Sequence, residues 1–468
     1  MSNNTKIIYA ACGALLVGYL AYLGILWATI LALIAGFIIY KVKSVLDIPE
    51  LPVIIENKWW GNGEPRKEDS GSEEFKIHLS DENLNYLKTS LKNSRPLTPP
   101  LENAAQEYGM NTNLLREILE FWNTAYDWRE RETFLNQFPQ YKINIQGLKM
   151  HYVHVKPENK NNKKVLPLLL VHGWPGSVRE FYEMAPMLTR DDPGRNFVFE
   201  LVIPSLPGYG FSDGTSKKGL DQVEAAIILK NLMKSVGFNR FYIQGGDWGS
   251  VVCTNMATLY PEHVIGIHTN MPVSMTLRAT ILTAVGMVFP QLVVENKHRH
   301  KMYPIKYNYD ETAYAHFQQT KPDTIGVALN DSPIGLAAYI IEKFVTWTKL
   351  ENKKKVDGGL KEKWDYKKLL DNVMIYWINN CITTSMRFYA EFKNSKQQKI
   401  LNKIPVKVPS GCARFSNEIF YMPDLLLEDK FPNLIHSSEL EGGHFAAFEV
   451  PDVLAKDIIE FVQKAEKK

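Results

Sequence analysis

The chain has 468 residues, of which 45% are hydrophobic and 22% charged, and its 54 basic and 51 acidic side chains give a formal net charge of +3. Nucleic-acid binding requires a clustered surplus of cations, so this near-balance argues against a nucleic-acid partner. The four cysteines are scattered and form no Cys-x-x-Cys pair, which argues against both a disulfide scaffold and a cysteine zinc site. The composition is otherwise that of a globular protein.

An uncharged, apolar run of 34 residues occupies positions 7–40. About 20 apolar residues span a bilayer core as a helix, and the apolar part of a signal peptide is only about 7–15 residues long. We therefore predict a retained membrane anchor that contacts lipid through residues 7–40, either as one tilted span or as a short hairpin centred near Gly24. A buried core helix is the weaker alternative, because core helices seldom stay apolar on every face. Lys41 and Lys43 follow the run, which favours a cytosolic body by the positive-inside rule.

Residues 42–148 form a connecting segment that we interpret as a docking region. Proline-containing stretches at 47–52 and 95–100 disfavour helix. Residues 111–121 carry leucine and isoleucine at helical spacing behind a capping asparagine, which predicts one helix in this region.

Strand and helix patterns alternate after residue 149. Runs rich in β-branched and aromatic residues predict strands at 150–155, 165–171, 196–203 and 241–244, and apolar stripes predict helices at 220–236 and from about 249 to Pro261. Two further strands, at 406–412 and 434–439, and a terminal helix over 453–462 follow later in the chain. Such alternation is typical of βαβ units in a parallel sheet.

Residues 274–404 lack this alternation and are predicted to be mostly helical, as a lid inserted over the sheet. The fold class that we expect is α/β with a mostly helical lid, preceded by a membrane anchor and a docking segment. The predicted division is 1–41 for the anchor, 42–148 for the docking region, 149–273 for the first part of the core, 274–404 for the lid and 405–468 for the second part of the core.

A nucleophile candidate lies where the strand at 241–244 meets the next helix. The sequence Gly245-Gly246-Asp247-Trp248-Gly249 matches the G-x-S-x-G nucleophile elbow of α/β-hydrolases, with aspartate in the place of serine. The alternative is an aspartate that only caps the following helix. A carboxylate is ionised near pH 7 and attacks an sp³ carbon directly to form an ester. Hydrolysis of that ester requires an activated water, a histidine oriented by a carboxylate, and an oxyanion hole.

The remaining catalytic candidates follow in the chain order nucleophile, acid, histidine that this fold uses. His444 comes directly after Gly442-Gly443, just after the last predicted strand, and Glu418 follows the strand before it. Position alone leaves three other acids open on the same segment, namely Asp424, Glu428 and Asp429.

The oxyanion hole is predicted from a second motif. His172-Gly173-Trp174-Pro175-Gly176 follows the strand at 165–171. In this fold the corresponding loop contributes one backbone N–H, and the residue after the nucleophile contributes another. The candidate donors are therefore the N–H groups of Trp174 and Trp248, and the alternative is a simple Gly-Pro turn at the end of a strand.

Together these motifs resemble the microsomal epoxide hydrolases, and in particular their juvenile hormone epoxide hydrolase branch. The resemblance extends over almost the whole chain and includes Trp59-Trp60-Gly61, Trp128-Arg129-Glu130-Arg131, His172-Gly173-Trp174-Pro175-Gly176-Ser177, Pro204-Ser205-Leu206-Pro207-Gly208-Tyr209-Gly210-Phe211-Ser212, the elbow, and Gly442-Gly443-His444-Phe445.

The resemblance implies an α/β-hydrolase fold and the roles of five side chains. Asp247 would be the nucleophile, His444 the base that activates water, Glu418 its acid partner, and Tyr314 and Tyr389 the lid tyrosines that hydrogen-bond the epoxide oxygen. It further implies conversion of lipophilic epoxides, such as juvenile hormone, similar terpenoid epoxides and xenobiotic epoxides, to vicinal diols at the endoplasmic reticulum (microsomal) membrane. No metal or organic cofactor is expected.

Two other classes of protein stay open from the residues alone. A dehalogenase-like enzyme would share Asp247 and His444 but would not depend on the two tyrosines. A membrane-bound carrier of lipophilic ligands would keep the aromatic lid without needing the catalytic residues.

Overall fold

The computed structural model describes residues 13–33, 48–66, 71–158, 161–302 and 309–467, and it contains two compact units, 1–50 and 51–468. In the first unit, helix α1 covers the 21 residues Gly13–Leu33, and none of its most apolar stretch is buried. At 1.5 Å per residue it is about 31 Å long, which matches the hydrocarbon core of a bilayer. The helix continues through Gly24, so a hairpin turn at that position is not formed. The remainder of the predicted 7–40 anchor lies outside the described residues.

The second unit is built on one mixed sheet, in which nine strands lie within the described residues. These strands are β1 Glu73–Phe75, β2 Gln140–Ile145, β3 Leu148–Val155, β4 Lys164–Val171, β5 Phe197–Pro204, β6 Phe241–Gly245, β7 Val264–Thr269, β8 Ser410–Asn417 and β9 Leu434–Gly443. Their order is β1-β2-β3-β5-β4-β6-β7-β8-β9. The pairs from β1 to β5 along this order are antiparallel, and every pair from β5 to β9 is parallel. The predicted α/β class is confirmed.

Helices connect and cover these strands. They are α2 Asp81–Lys92, α3 Thr112–Thr124, α4 Trp128–Leu135, α5 Ala185–Thr189, α6 Gln222–Ser235, α7 Asp247–Leu259, α8 Leu277–Val288, α9 Ala313–Thr320, α10 Pro322–Asp331, α11 Pro333–Thr346, α12 Leu360–Lys363, α13 Tyr366–Ile378, α14 Ile382–Asn394, α15 Lys396–Leu401, α16 Asp424–Leu427, α17 Ala446–Glu449 and α18 Pro451–Ala465. Between β7 and β8 the described residues contain helices and turns but no strand, as predicted for the lid.

The differences from the predicted elements have local causes. Strand β8 starts at Ser410 instead of 406, since Pro405 and Pro409 flank residues 406–408 and proline has no N–H to donate to a neighbouring strand. Strand β7 was not predicted, because Gly266 and His268 interrupt its short apolar run. Strands β1 and β2 were also missed, and they extend the sheet from within the segment interpreted as a docking region.

The parallel part of the sheet brings distant sequence motifs to one edge. Strands β4, β6, β8 and β9 end at residues 171, 245, 417 and 443. Each is followed at once by a candidate: the loop from His172, the elbow with Asp247, Glu418, and His444. The carboxyl ends of parallel strands lie at the same edge of a sheet, which is where ligands bind in open α/β folds. The site therefore forms at this edge, beneath the lid.

Candidate active site

The turn at Asp247 is the tight elbow that the glycine pattern predicted. Asp247 is the first residue of α7 and has a φ of 48°, in the left-handed region. A Cβ atom on Gly245 would lie 2.4 Å from the carbonyl carbon of Gly249, and one on Gly249 would lie 2.0 Å from the carbonyl oxygen of Val171. Only glycine allows these backbones to approach so closely. Strand β6, helix α7 and the end of strand β4 thus hold Asp247 in one position at the sheet edge.

The two carboxylate oxygens of Asp247 have different surroundings. The backbone N–H of Trp174 donates to Oδ1 over 2.7 Å. Oδ2 lies 3.5 Å from Nε2 of His444. Trp248 is the second residue of α7, where a backbone N–H has no acceptor within its own helix. This arrangement separates an oxygen held by a backbone donor from an oxygen that faces the histidine.

Glu418 is the acid that the structure brings to His444. Nδ1 of His444 lies 2.6 Å from Oε1 of Glu418, and only 2% of each side chain is exposed. Oε1 also accepts the backbone N–H of Ile419 over 2.7 Å. The three rival acids contact arginines instead, with Asp424 beside Arg414 and both Glu428 and Asp429 beside Arg278. Because the histidine is held through Nδ1, its Nε2 is the nitrogen directed at Asp247.

The charges around His444 stabilise its imidazolium form. Burial alone would lower the pKa of His444, but the nearby carboxylates of Glu418 and Asp247 outweigh burial and raise it from 6.5 to about 10. The histidine is thus protonated near neutral pH while Asp247 carries its negative charge. Loss of that charge would lower the pKa again.

Tyr314 and Tyr389 lie close to each other beside the loop at 172–176, which is the candidate oxyanion loop. The ring of Tyr314 stacks on Trp174 with 5.4 Å between centroids, and the ring of Tyr389 meets Trp248 edge-on at 4.7 Å. The two tyrosine rings are 6.1 Å apart at an interplanar angle of 80°. Burial, with the negative charge of Asp247 among the further causes, raises the pKa of Tyr389 well above its usual value of 10. Its hydroxyl therefore remains protonated and able to donate.

A large cavity of about 480 Å³ connects Asp247 with both tyrosines. Most of its other walls are apolar, and they come from the lid, the elbow and the segments after β7 and β8: Trp248, Val251, Met271, Val273, Ala284, Met287, Phe392, Ile419, Phe420 and Met422. This volume is within the usual range for small-molecule sites. The cavity is suited to an uncharged, lipophilic molecule.

Asp247 also lines a second, small cavity of about 20 Å³. Its polar lining side chains include Glu180, Asn270 and His444 in addition to Asp247. No sequence motif marked Glu180 or Asn270 beforehand, and only the folded chain brings them beside the nucleophile.

The lid also supports the oxyanion loop directly, which the sequence did not reveal. On α13, the side-chain NH₂ of Asn372 donates to the carbonyl oxygen of Pro175 over 2.7 Å. One turn later the hydroxyl of Tyr376 donates to the carbonyl oxygen of Gly176 over 2.8 Å. Asn372 in turn accepts from the hydroxyl of Ser177 over 2.7 Å. These buried bonds hold the loop that presents the Trp174 N–H.

A buried ion cluster fixes the same helix to the rest of the unit. Asp371 on α13 accepts from Arg131 on α4 at 2.9 and 2.8 Å, and from Nε of Arg179 at 2.9 Å. Arg179 also pairs with Glu183 at 2.7 Å. Removing one partner from such a buried cluster leaves an uncompensated charge, which destabilises the fold.

Comparison with known proteins places this geometry in a family. The sequence matches two family models, one described as "Epoxide hydrolase N terminus" over residues 72–181 and one described as "alpha/beta hydrolase fold" over residues 167–400. It is 47% identical to juvenile hormone epoxide hydrolase 1 of Ctenocephalides felis, over 93% of this chain and 95% of that protein. It is 43% identical to epoxide hydrolase 1 of Sus scrofa, over 93% of this chain and 99% of that protein.

A solved structure agrees with these sequence matches. The crystal structure of juvenile hormone epoxide hydrolase from the silkworm Bombyx mori superposes with a TM-score of 0.85 at 43% identity, and the match covers 88% of this chain and 99% of the silkworm chain. The two relatives and the solved structure are all epoxide hydrolases by name, and each is matched over 88% or more of this chain. The chain belongs to the microsomal epoxide hydrolase family of α/β-hydrolases, beside the juvenile hormone epoxide hydrolases.

Proposed function

We propose that this protein hydrolyses lipophilic epoxides, including juvenile hormone and similar terpenoid epoxides and xenobiotic epoxides, to vicinal diols through an ester on Asp247. The observation that carries the proposal is the placement of Asp247. Its Oδ1 accepts the Trp174 N–H, its Oδ2 faces His444, and it lines the large cavity together with Tyr314 and Tyr389.

In the first step, Oδ2 of Asp247 attacks an epoxide carbon and the strained C–O bond breaks. Tyr314 and Tyr389 donate hydrogen bonds to the leaving oxygen, and one of them supplies the proton that makes it a hydroxyl. The imidazolium of His444 then replaces the proton that the tyrosine lost. Because the new ester has removed the charge of Asp247, one cause of the raised His444 pKa is gone and the histidine becomes a base.

In the second step, neutral His444 takes a proton from water, and the water oxygen attacks the ester carbonyl carbon. Negative charge develops on the carbonyl oxygen at the Oδ1 position, where the Trp174 and Trp248 N–H groups stabilise it. Collapse of this tetrahedral intermediate expels the diol oxygen, which takes up the second proton of the water. Asp247 is again ionised, His444 is again protonated, and no metal or organic cofactor takes part.

The membrane helix suits this substrate class. Lipophilic epoxides partition into bilayers by about 0.8 kcal/mol for each buried CH₂ group. We propose that residues 7–40 anchor the protein in the endoplasmic reticulum (microsomal) membrane by a single span, with the catalytic body in the cytosol. We also propose that 42–148 is the docking region, that 149–273 and 405–468 are the two parts of the catalytic core, and that 274–404 is the lid.

Assay of purified protein with an epoxide, a haloalkane and a non-reactive lipophilic ligand separates the three functions that the residues left open. The proposal predicts diol formation from the epoxide without halide release from the haloalkane. Asp247→Asn is the matched control, because asparagine has the same shape and tolerates a φ of 48°. Diol formation at an undiminished rate by that variant would contradict the proposed nucleophile, and ligand binding without turnover by the wild type would favour a carrier.

A further inference from the structure

Two separate cavities meet Asp247. The large cavity contains Asp247 with Tyr314 and Tyr389, whereas the small cavity contains Asp247 with His444 and Glu180. Among the described residues that line either cavity, Asp247 is the only one that lines both. If the proposed ester forms, its alkyl group fills the large cavity. The water that hydrolyses it must then reach the carbonyl carbon from the small cavity.

The small cavity has the size and the polar groups that one water molecule needs. Its volume of about 20 Å³ exceeds the roughly 10–15 Å³ that a single water requires. A buried water is held by two to four polar partners. Asn270 accepts from Gln244 through its Oδ1 over 2.7 Å, which leaves its NH₂ as the donor that this residue can offer. His444 presents Nε2, and Glu180 presents a carboxyl group.

The backbone makes room for the Glu180 carboxyl group. Glu180 lies on a short 3₁₀ helix, Val178–Phe181, which follows the oxyanion loop and is capped by Ser177. Its side chain folds back over Gly176, where a Cβ atom would lie only 1.5 Å from Oε1. Any larger residue at position 176 would therefore displace this carboxyl group. Burial raises the pKa of Glu180 to about 8, although the positive charge of His444 opposes that rise.

We propose that the small cavity binds the water that hydrolyses the Asp247 ester, and that Glu180 accepts one of its two O–H groups while His444 takes the proton of the other. The proposal rests on the ester mechanism given above. Water bound through both of its hydrogens presents its oxygen lone pair to the carbonyl carbon of Asp247. Glu180 gains and loses no proton in this step. Its contribution is to orient the water, so it acts on ester hydrolysis and leaves ester formation unchanged.

A pair of matched variants tests this role by rapid-quench mass spectrometry with 1,2-epoxyhexane. Glu180→Met keeps the length of the side chain but removes the acceptor, whereas Glu180→Gln keeps an acceptor oxygen. We expect the adduct on Asp247 to form at the wild-type rate in both. Its decay should slow by about 10- to 100-fold in Glu180→Met, the range for leaving a buried hydrogen-bond donor without its acceptor, and by less than about 10-fold in Glu180→Gln.

Gly176→Ala provides an independent test that leaves Glu180 in the chain. Since the added Cβ displaces the carboxyl group, we expect adduct decay to slow while adduct formation stays near the wild-type rate. Decay within about twofold of the wild type in both Glu180→Met and Gly176→Ala would overturn the assignment, as would equal slowing of formation and decay. Absence of an adduct in the wild type and in every variant, His444→Gln included, would instead contradict the ester mechanism on which the assignment depends.

Discussion

Replacement of Glu418 by glutamine tests how much the negative charge of the acid contributes to the activation of water by His444. Oε1 of Glu418 accepts both the backbone N–H of Ile419 at 2.7 Å and Nδ1–H of His444 at 2.6 Å. In Glu418→Gln the amide oxygen should stay at that place, because the amide NH₂ would meet the Ile419 N–H. The histidine therefore keeps its orientation and its tautomer. What is lost is the negative charge that stabilises the imidazolium formed when water is deprotonated.

The expected size of the effect follows from the burial of the pair. Both side chains are only 2% exposed, so solvent does not compensate for the lost charge. Hydrogen bonds to charged groups contribute about 1.5–3 kcal/mol, and each 1.36 kcal/mol of barrier is tenfold in rate. We therefore expect ester hydrolysis to slow by about 10- to 100-fold. Alkylation of Asp247 does not use Glu418, and its rate should change little.

Single-turnover kinetics with quenching and intact-mass detection resolve the two steps. Glu428→Gln is the matched control, since Glu428 is a more exposed carboxylate that pairs with Arg278 away from His444. It should leave both steps at the wild-type rate. Hydrolysis within about twofold of the wild type in Glu418→Gln would refute the assignment of the acid. Slower ester hydrolysis in Glu428→Gln than in Glu418→Gln would favour Glu428 as the acid.

His444→Gln should form the adduct at Asp247 and then stall, as seen by mass spectrometry; a variant that binds epoxide but forms no adduct would show that His444 acts earlier. Deletion of residues 1–40 should release the protein from the membrane fraction with kcat on a water-soluble epoxide nearly unchanged; continued sedimentation with membranes would reveal a second anchor. The folded-state pKa of His444 is about 10 against an ordinary 6.5, so its stabilising effect is complete below pH 6.5 and is lost as pH rises through 10. Urea unfolding at pH 6, 8 and 10 should show wild-type stability falling relative to His444→Gln, and parallel curves would contradict the raised pKa.

The core of the fold could be predicted from the sequence because the spacing of apolar residues indicates each strand and helix, and their order along the chain indicates the α/β class. Strands β3 to β6 and helix α6 agree with their predicted positions to within about two residues, since each is a strong apolar pattern bounded by turn residues. The sequence also showed that His172 directly follows a predicted strand and that Asp247, Glu418 and His444 lie within six residues of the ends of theirs. Parallel pairing then brings them to one edge.

The parts of the site that the sequence missed depend on contacts between distant segments. Glu180 gains its place from the space above Gly176, and Asn372 and Tyr376 support the oxyanion loop from nearly 200 residues away. The choice of Glu418 over Asp424, Glu428 and Asp429 required either family resemblance or the folded structure. Tyr314 and Tyr389 are two of 22 tyrosines, and resemblance alone distinguished them.

One measurement tests the central claim most directly: the origin of the oxygen that enters the diol. Excess enzyme is mixed with epoxide in water enriched in oxygen-18, so that each molecule turns over once. The ester mechanism transfers an oxygen of Asp247 to the diol and a water oxygen to the carboxylate. It therefore predicts an unlabelled diol and a labelled peptide containing Asp247. A labelled diol with an unlabelled Asp247 peptide would mean that water attacks the epoxide directly, and it would contradict the account.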